Sequence, residues 1–149
     1  MNYKELLILR LSHLIEWKNE KEMFVPNNFT GGSLTNTCEF LGNGRYIIRS
    51  YYNIKLYANK LYAKKEYKNN LLNGLSLGWH ENGQRRCRVE FRDGRKGSTV
   101  HYYRNGRPEW KHQYNKYGNL QGIERWWHED GQPKSIKEWE NGKLIREIL

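Results

Sequence analysis

The sequence predicts a mainly β protein: an elongated single antiparallel sheet of tandem β-hairpins, with an N-terminal α-helix. Three observations carry that expectation. The six residues "WHENGQ" at 79–84 return as "WHEDGQ" at 127–132 in a chain of only 149 residues, which marks an array of copies. Aromatic residues make up 14% of the chain, with 6 Trp and 11 Tyr, while the mean hydropathy is strongly negative. Disordered chains are poor in rings, so this balance points to a fold whose core is aromatic and pleated. Finally, Asn-Gly and Asp-Gly pairs stand between alternating segments, the strongest short-range hairpin signal.

Residues 1–39 are expected to form a helical segment and linker. Within "ELLILRLSHLIEW", the apolar residues Leu6, Leu7, Leu9, Leu11, Leu14, Ile15 and Trp17 have roughly helical spacing. Arg10, Ser12, His13 and Glu16 interrupt the run, which falls short of the ~20 apolar residues needed to cross a bilayer. It also lacks the small-residue cleavage site of a signal peptide. The expectation is an amphipathic helix covering an open end or one face of the sheet, terminated by Pro26 and "GGS" at 31–33.

Residues 40–149 carry the repeats. Gly44, Gly83, Gly106 and Gly131 align in one column, with Phe40, Trp79, Tyr102 and Trp127 four residues before them. Tyr52, Phe91, Tyr114 and Trp139 stand eight residues after them, and the last three glycines are spaced by 23 and 25 residues. These twelve positions are assigned a structural role. A worn copy, "KLYAKKEY" at 60–67, aligns with "QRRCRVEF" at 84–91, with Asn59 in its glycine slot. The first two copies are thus degenerate, as terminal repeats of an array tend to be. "WHENGQ" is then read as a type I′ turn, whose two central residues take positive φ. "RDGRKG", "NKYGNLQG" and "ENGK" supply the second turn of each unit.

Alternation of side chains places Leu75, Leu77 and Trp79 on one face with Cys87, Val89 and Phe91. Val100, Tyr102, Trp110, His112 and Tyr114 continue it in the next unit, and Ile123, Trp127, Ser135 and Trp139 in the last. The opposite face is expected to expose Trp126, Tyr103, His80, His101 and His128 beside Arg86 and Arg88. Those seven residues are the candidate partner-binding set, because aromatics and Arg dominate protein contacts.

The net charge of +10 is spread evenly, +5 in residues 1–74 and +5 in 75–149, so it forms no basic tail. It favours anionic partners, such as nucleic acid, lipid head groups or acidic proteins. Two cysteines, Cys38 and Cys87, are too few for a disulfide framework or a four-ligand zinc site, and free thiols suit a reducing compartment. A cytoplasmic or intravirion, non-secreted protein is expected. Aspartate occurs only at Asp93 and Asp130, both in turns, where turn formation accounts for them, so neither is read as part of a hydrolytic triad. His80 and His128 are equivalent repeat positions with Tyr103 as the third member, a pattern that argues against a metal site. Glu66, Glu90 and Glu138 precede the closing aromatic, with Gln113 in the remaining unit, and pairing with Arg or Lys explains that row. No catalytic residue, metal or cofactor is assigned, and the chain is read as a non-enzyme.

With these residues in place, "GWHENGQ…FRDGRKG", "YYRNGRPEWKHQYNKYGNLQG" and "WWHEDGQPKSIKEWENGKL" resemble the MORN (membrane occupation and recognition nexus) repeat. The resemblance is to its longer variant in bacterial YwqK-like antitoxin-type proteins, a pattern also abundant in large DNA viruses, and it covers about residues 40–149. It implies successive β-hairpins, and a scaffold or protein–protein interaction module as the function. A structural component of a large virus or of its assembly fits that reading. The alternatives are an antitoxin neutralising a cognate toxin, and peripheral binding of anionic lipid or nucleic acid.

Overall fold

A computed structural model describes residues 16–19, 22–25, 34–52 and 60–149. They form one open antiparallel sheet of twelve strands, each hydrogen-bonded to its neighbours in sequence. The strands are β1 (Glu16–Asn19), β2 (Glu22–Val25), β3 (Leu34–Gly42), β4 (Arg45–Tyr52), β5 (Leu61–Lys68) and β6 (Leu71–Trp79). They continue with β7 (Arg85–Arg92), β8 (Arg95–Tyr102), β9 (Pro108–His112), β10 (Gly122–Trp127), β11 (Pro133–Glu140) and β12 (Lys143–Glu147). Most of the expected N-terminal helix lies outside the described residues, as do Pro26, residues 31–33 and Asn59. Glu16 and Trp17, at the end of the stretch read as helical, belong to β1. Position 39, where the linker was expected to end, falls inside β3.

Two kinds of turn alternate along the chain, and they are assigned differently from the sequence reading. At Asp93–Gly94 both central residues have positive φ, 48° and 79°, the signature of type I′. The same holds for Asn43–Gly44, Asn69–Asn70 and Asn141–Gly142. In "WHENGQ" only Gly83 has positive φ, at 86°. There His80 O accepts from Gly83 N at 2.9 Å and His80 N donates to Gln84 O at 2.9 Å, a type I turn closed by a glycine bulge. Gly106 and Gly131 close identical turns. Asn82, Asn105 and Asp130 serve these turns through their side chains: each Oδ1 accepts the N–H two residues on, at 2.9–3.0 Å. Gly44 therefore belongs with Gly94 and Gly142 rather than with Gly83. Phe40 moves with it, pairing with Tyr46 as Phe91 pairs with Lys96, and Tyr52 becomes the counterpart of His80.

Each hairpin also holds one extra residue beside its bulged turn. Trp79 faces Arg85 but Gly78 faces Cys87, so Arg86 is left over. Tyr62, Glu109 and Lys134 are left over in the same way. Trp79, Tyr102 and Trp127 thus occupy corresponding places on successive hairpins, as expected. The inserted residue has a further consequence, because a one-residue slip reverses the faces of a strand. Without it Leu77 would face Cys87; with it Leu77 faces Arg88 and Leu75 faces Glu90. The expected face is therefore right for β7, β9 and β11 and reversed for β6, β8 and β10.

Paired residues share a face, which defines two surfaces. One, the ring face, carries Cys38, Tyr46, Ala63, Val89 and Thr99, all buried. Its N-terminal core is Cys38 and Tyr46 with Phe40, Ile48 and Tyr67 packed around them, and the Tyr46 and Tyr67 rings stack at 4.9 Å. The other is an ion-pair face, where Glu39, Glu66, Glu90 and Glu138 meet Arg49, Lys64, Arg88 and Arg146 at 2.6–3.2 Å.

Candidate functional site

The ring face continues past Val89 into a cluster built on β8, β9 and β10. Register places His101 opposite Trp110, and Trp110 opposite Trp126. The His101 and Trp110 rings stack at 4.1 Å, and the Trp110 and Trp126 centroids lie 5.8 Å apart. His112 joins from the same strand as Trp110, 4.4 Å from it and 5.6 Å from Trp126. Beneath the rings lies Glu124, only 9% exposed. A carboxylate at that depth needs partners, and Trp126 Nε1 donates to its Oε1.

His112 Nε2 is 3.7 Å from the same oxygen. Burial pushes the His112 pKa down, and the pull of Glu124 in the other direction does not overcome it. The imidazole is therefore neutral at pH 7 and the contact is not an ion pair. Nε2 itself is buried without a hydrogen-bond partner. His101 is also pushed down, first by burial and then by Arg86, Lys96 and the neighbouring histidines.

On this face Lys137 pairs with Glu147 at 3.0 Å, but two other cations stay outside ion pairs. Arg86 lies over the Tyr62 ring at 4.6 Å, and its Nε is buried with no hydrogen-bond partner. Neither Arg86 nor Lys96 has an ion-pair partner among the described residues. The bulge explains Arg86: the inserted residue is released from the ladder, so its side chain reaches across β6 to Tyr62 of β5.

The seven expected partner-binding residues separate into three groups. Trp126, His101 and Arg86 come together on the ring face, with Trp126 half-buried. Tyr103 and His80 are engaged in a ladder between turns: Tyr103 OH donates to Trp127 O at 2.7 Å, and His80 Nε2 reaches Tyr102 O at 3.0 Å. Tyr52 OH makes the same bond to Trp79 O at 3.0 Å. Asn82 and Asn105 add bonds to Arg104 O and Glu129 O at 2.7 and 2.9 Å. His128, the third member of the row, is exposed. Arg88 lies on the opposite face, held by Glu90 at 2.7 Å.

Two features escaped the sequence reading. Glu124 joins the rings only because the bulge reverses β10. A second glycine column, Gly74, Gly97 and Gly122, lies five residues before Trp79, Tyr102 and Trp127; by sequence alone Gly97 and Gly122 read as turn ends. At Gly74 a β-carbon would collide with the Glu66 carboxylate, and at Gly122 it would lie 3.3 Å from Gln113 Oε1. This tucking applies to Glu66 and Gln113, whereas Glu90 and Glu138 are held by their ion pairs. No group of three or more metal-ligating side chains occurs among the described residues, and none of their helices is long and apolar enough to cross a membrane. No protein-family model and no curated protein sequence matches the chain.

Proposed function

We propose that the chain is a non-enzymatic MORN-like repeat scaffold that holds an acidic protein segment against its ring face. The observation that supports this most is the asymmetry of the two faces. The ion-pair face carries four carboxylate–cation pairs, whereas the ring face combines the Trp110, Trp126 and His101 rings with Arg86 and Lys96 near His101, two cations with no ion-pair partner among the described residues. Rings with adjacent uncompensated cations suit an acidic, ring-tolerant partner. Among the described residues, the recurring polar side chains otherwise serve turns, ion pairs and bonds between units, which supports a scaffold. The alternation of two turn types along an elongated array of hairpins supports the MORN likeness, and an N-terminal helix would cover one end. Cys38 and Cys87, which form no disulfide among the described residues, suit a reducing compartment, whether cytoplasmic or within a virion.

A photo-crosslinking residue placed at Arg86 in the native source, with the same residue at Arg88 as control, tests the reading. One acidic protein should crosslink from Arg86 and be lost in Trp126→Ala. Crosslinking from Arg88 alone, or capture that survives Trp126→Ala, would overturn it.

A further inference from the structure

Among the described residues the regular ladder breaks between β9 and β10. In the units ending at Asp93–Gly94 and Asn141–Gly142 the returning strand runs to a two-residue turn. β9 instead stops at His112, and the segment Asn115–Gly118 forms a bulged turn, with Gly118 N donating to Asn115 O at 2.9 Å. Pairing of β8 with β9 therefore ends at Thr99–His112, and the first residues of β8 face no strand on that side. The wedge left between them and the 115–118 loop is a cavity of about 320 Å³. That volume lies at the lower end of the range for small-molecule sites, roughly 300–1,000 Å³.

Its lining has a definite chemistry. Phe91 and Tyr114, equivalent residues of successive units, contribute two rings, and Arg92, Arg95, Lys96 and Lys116 contribute four cations. The two acids of the lining are already engaged: Glu90 with Arg88 at 2.7 Å and Asp93 with Asn73 Nδ2 at 2.8 Å. None of the four cations has an ion-pair partner among the described residues. Arg95 spans the mouth, donating to Lys116 O at 3.1 Å, which ties the loop to the sheet. Gly97 also lines the wedge. It needs no positive φ, and a β-carbon there would meet Glu90 atoms at an ordinary 3.6–3.8 Å, so neither backbone nor crowding demands glycine at that position.

We propose that this wedge is a nucleotide-binding site, which takes a base against Phe91 or Tyr114 and its phosphate among Arg92, Lys96 and Lys116. Rings alone would accept any flat apolar group and cations alone any anion; the combination selects a phosphate monoester carried close to a planar ring. The same unit can come from a free nucleotide or from one residue of a single strand.

Calorimetric titration of the intact chain with adenosine monophosphate, adenosine, inorganic phosphate and octaadenylate, with amide spectra read at Gly94 and Gly97, tests it. The monophosphate should saturate and shift both glycines, at least about tenfold more tightly than adenosine or phosphate alone. Arg92→Glu and Lys116→Glu, both at exposed positions, should each weaken it about tenfold with an unchanged thermal midpoint. Octaadenylate binding more tightly than the monophosphate, and weakened by the same variants, would assign the source as a strand; equal or weaker binding would assign a free nucleotide. Failure of the monophosphate to saturate, phosphate binding as tightly as the monophosphate, or full affinity in both variants would overturn the proposal.

Discussion

Replacing Gly74 by alanine gives the sharpest test of the second glycine column. Gly74 has φ of 105°, and a non-glycine residue held in such a region costs about 2 kcal/mol. The new β-carbon also occupies the space of the Glu66 carboxylate. That carboxylate accepts Leu75 N at 3.1 Å and meets Lys64 at 3.2 Å; in this half-exposed position, losing these contacts costs about 1 kcal/mol. Gly74→Ala should therefore lose about 3 kcal/mol, a fall in Tm of about 6–12 °C at this chain length. Glu66→Ala alone should lose about 1 kcal/mol. The double variant decides the mechanism. If the alanine acts partly by expelling Glu66, its loss cannot be counted twice, and the pair should be no less stable than Gly74→Ala alone. Thermal and urea unfolding of the four proteins completes the cycle. A Gly74→Ala midpoint within 1 °C of the parent, or strictly additive losses near 4 kcal/mol, would refute the tucked-carboxylate account.

Gly97→Ala, the equivalent change one unit later, should leave Tm within about 1 °C, because neither φ nor close contact opposes it, while lowering adenosine monophosphate affinity through the narrowed wedge; calorimetry reads both. Tyr103→Phe should lower Tm and speed amide exchange in the 128–131 turn without altering partner capture; unchanged Tm with lost capture would make Tyr103 a contact residue. Stability should fall as pH drops from 7 to 5. His101 and His112 have folded pKa values depressed below the ordinary value near 6.5, so the unfolded chain takes up protons first. The change should flatten in the His101→Phe/His112→Phe protein, as followed by Tm at each pH.

How much of this was legible in the sequence turns on particular residues. The hairpin array was legible because turn chemistry is local: Asn or Asp before Gly is demanded by the chain's own φ values and by side-chain bonds two residues away. The correspondence of Trp79, Tyr102 and Trp127 followed from the same spacing. The facing of β6, β8 and β10 was not legible. It depends on Tyr62, Arg86, Glu109 and Lys134 being bulged, and these four share no residue type, since a bulge is a property of the ladder rather than of one side chain. The misplacement of Gly44 has a related cause. Asn-Gly serves both turn classes, and only the hydrogen bonding separates the type I′ pair at Asn43–Gly44 from the bulged turn at Gly83. Tyr103 and His80 were read as exposed anchors because their acceptors, the carbonyls of Trp127 and Tyr102, lie a whole unit away.

A strictly periodic sheet has no unique place for a ligand, because each unit offers what its neighbours offer. What distinguishes one region of this chain from another is where the period fails. The bulges are themselves periodic, and they do collective work: by reversing every outgoing strand they gather His101 and Trp126 onto the face of Trp110, with Glu124 beneath. The aperiodic events lie close by. Arg86 is the only cation among the bulged residues with an aromatic ring beneath it in the preceding unit, and β9 is the only returning strand of β5, β7, β9 and β11 that stops short of its turn. Both fall between residues 85 and 118, where Arg92, Arg95, Lys96 and Lys116 are also concentrated. Cations outside ion pairs also stand on other described strands, Lys65, Arg125 and Lys134 among them. The proposed binding role therefore rests on the meeting of cations with rings where the ladder opens rather than on the absence of partners.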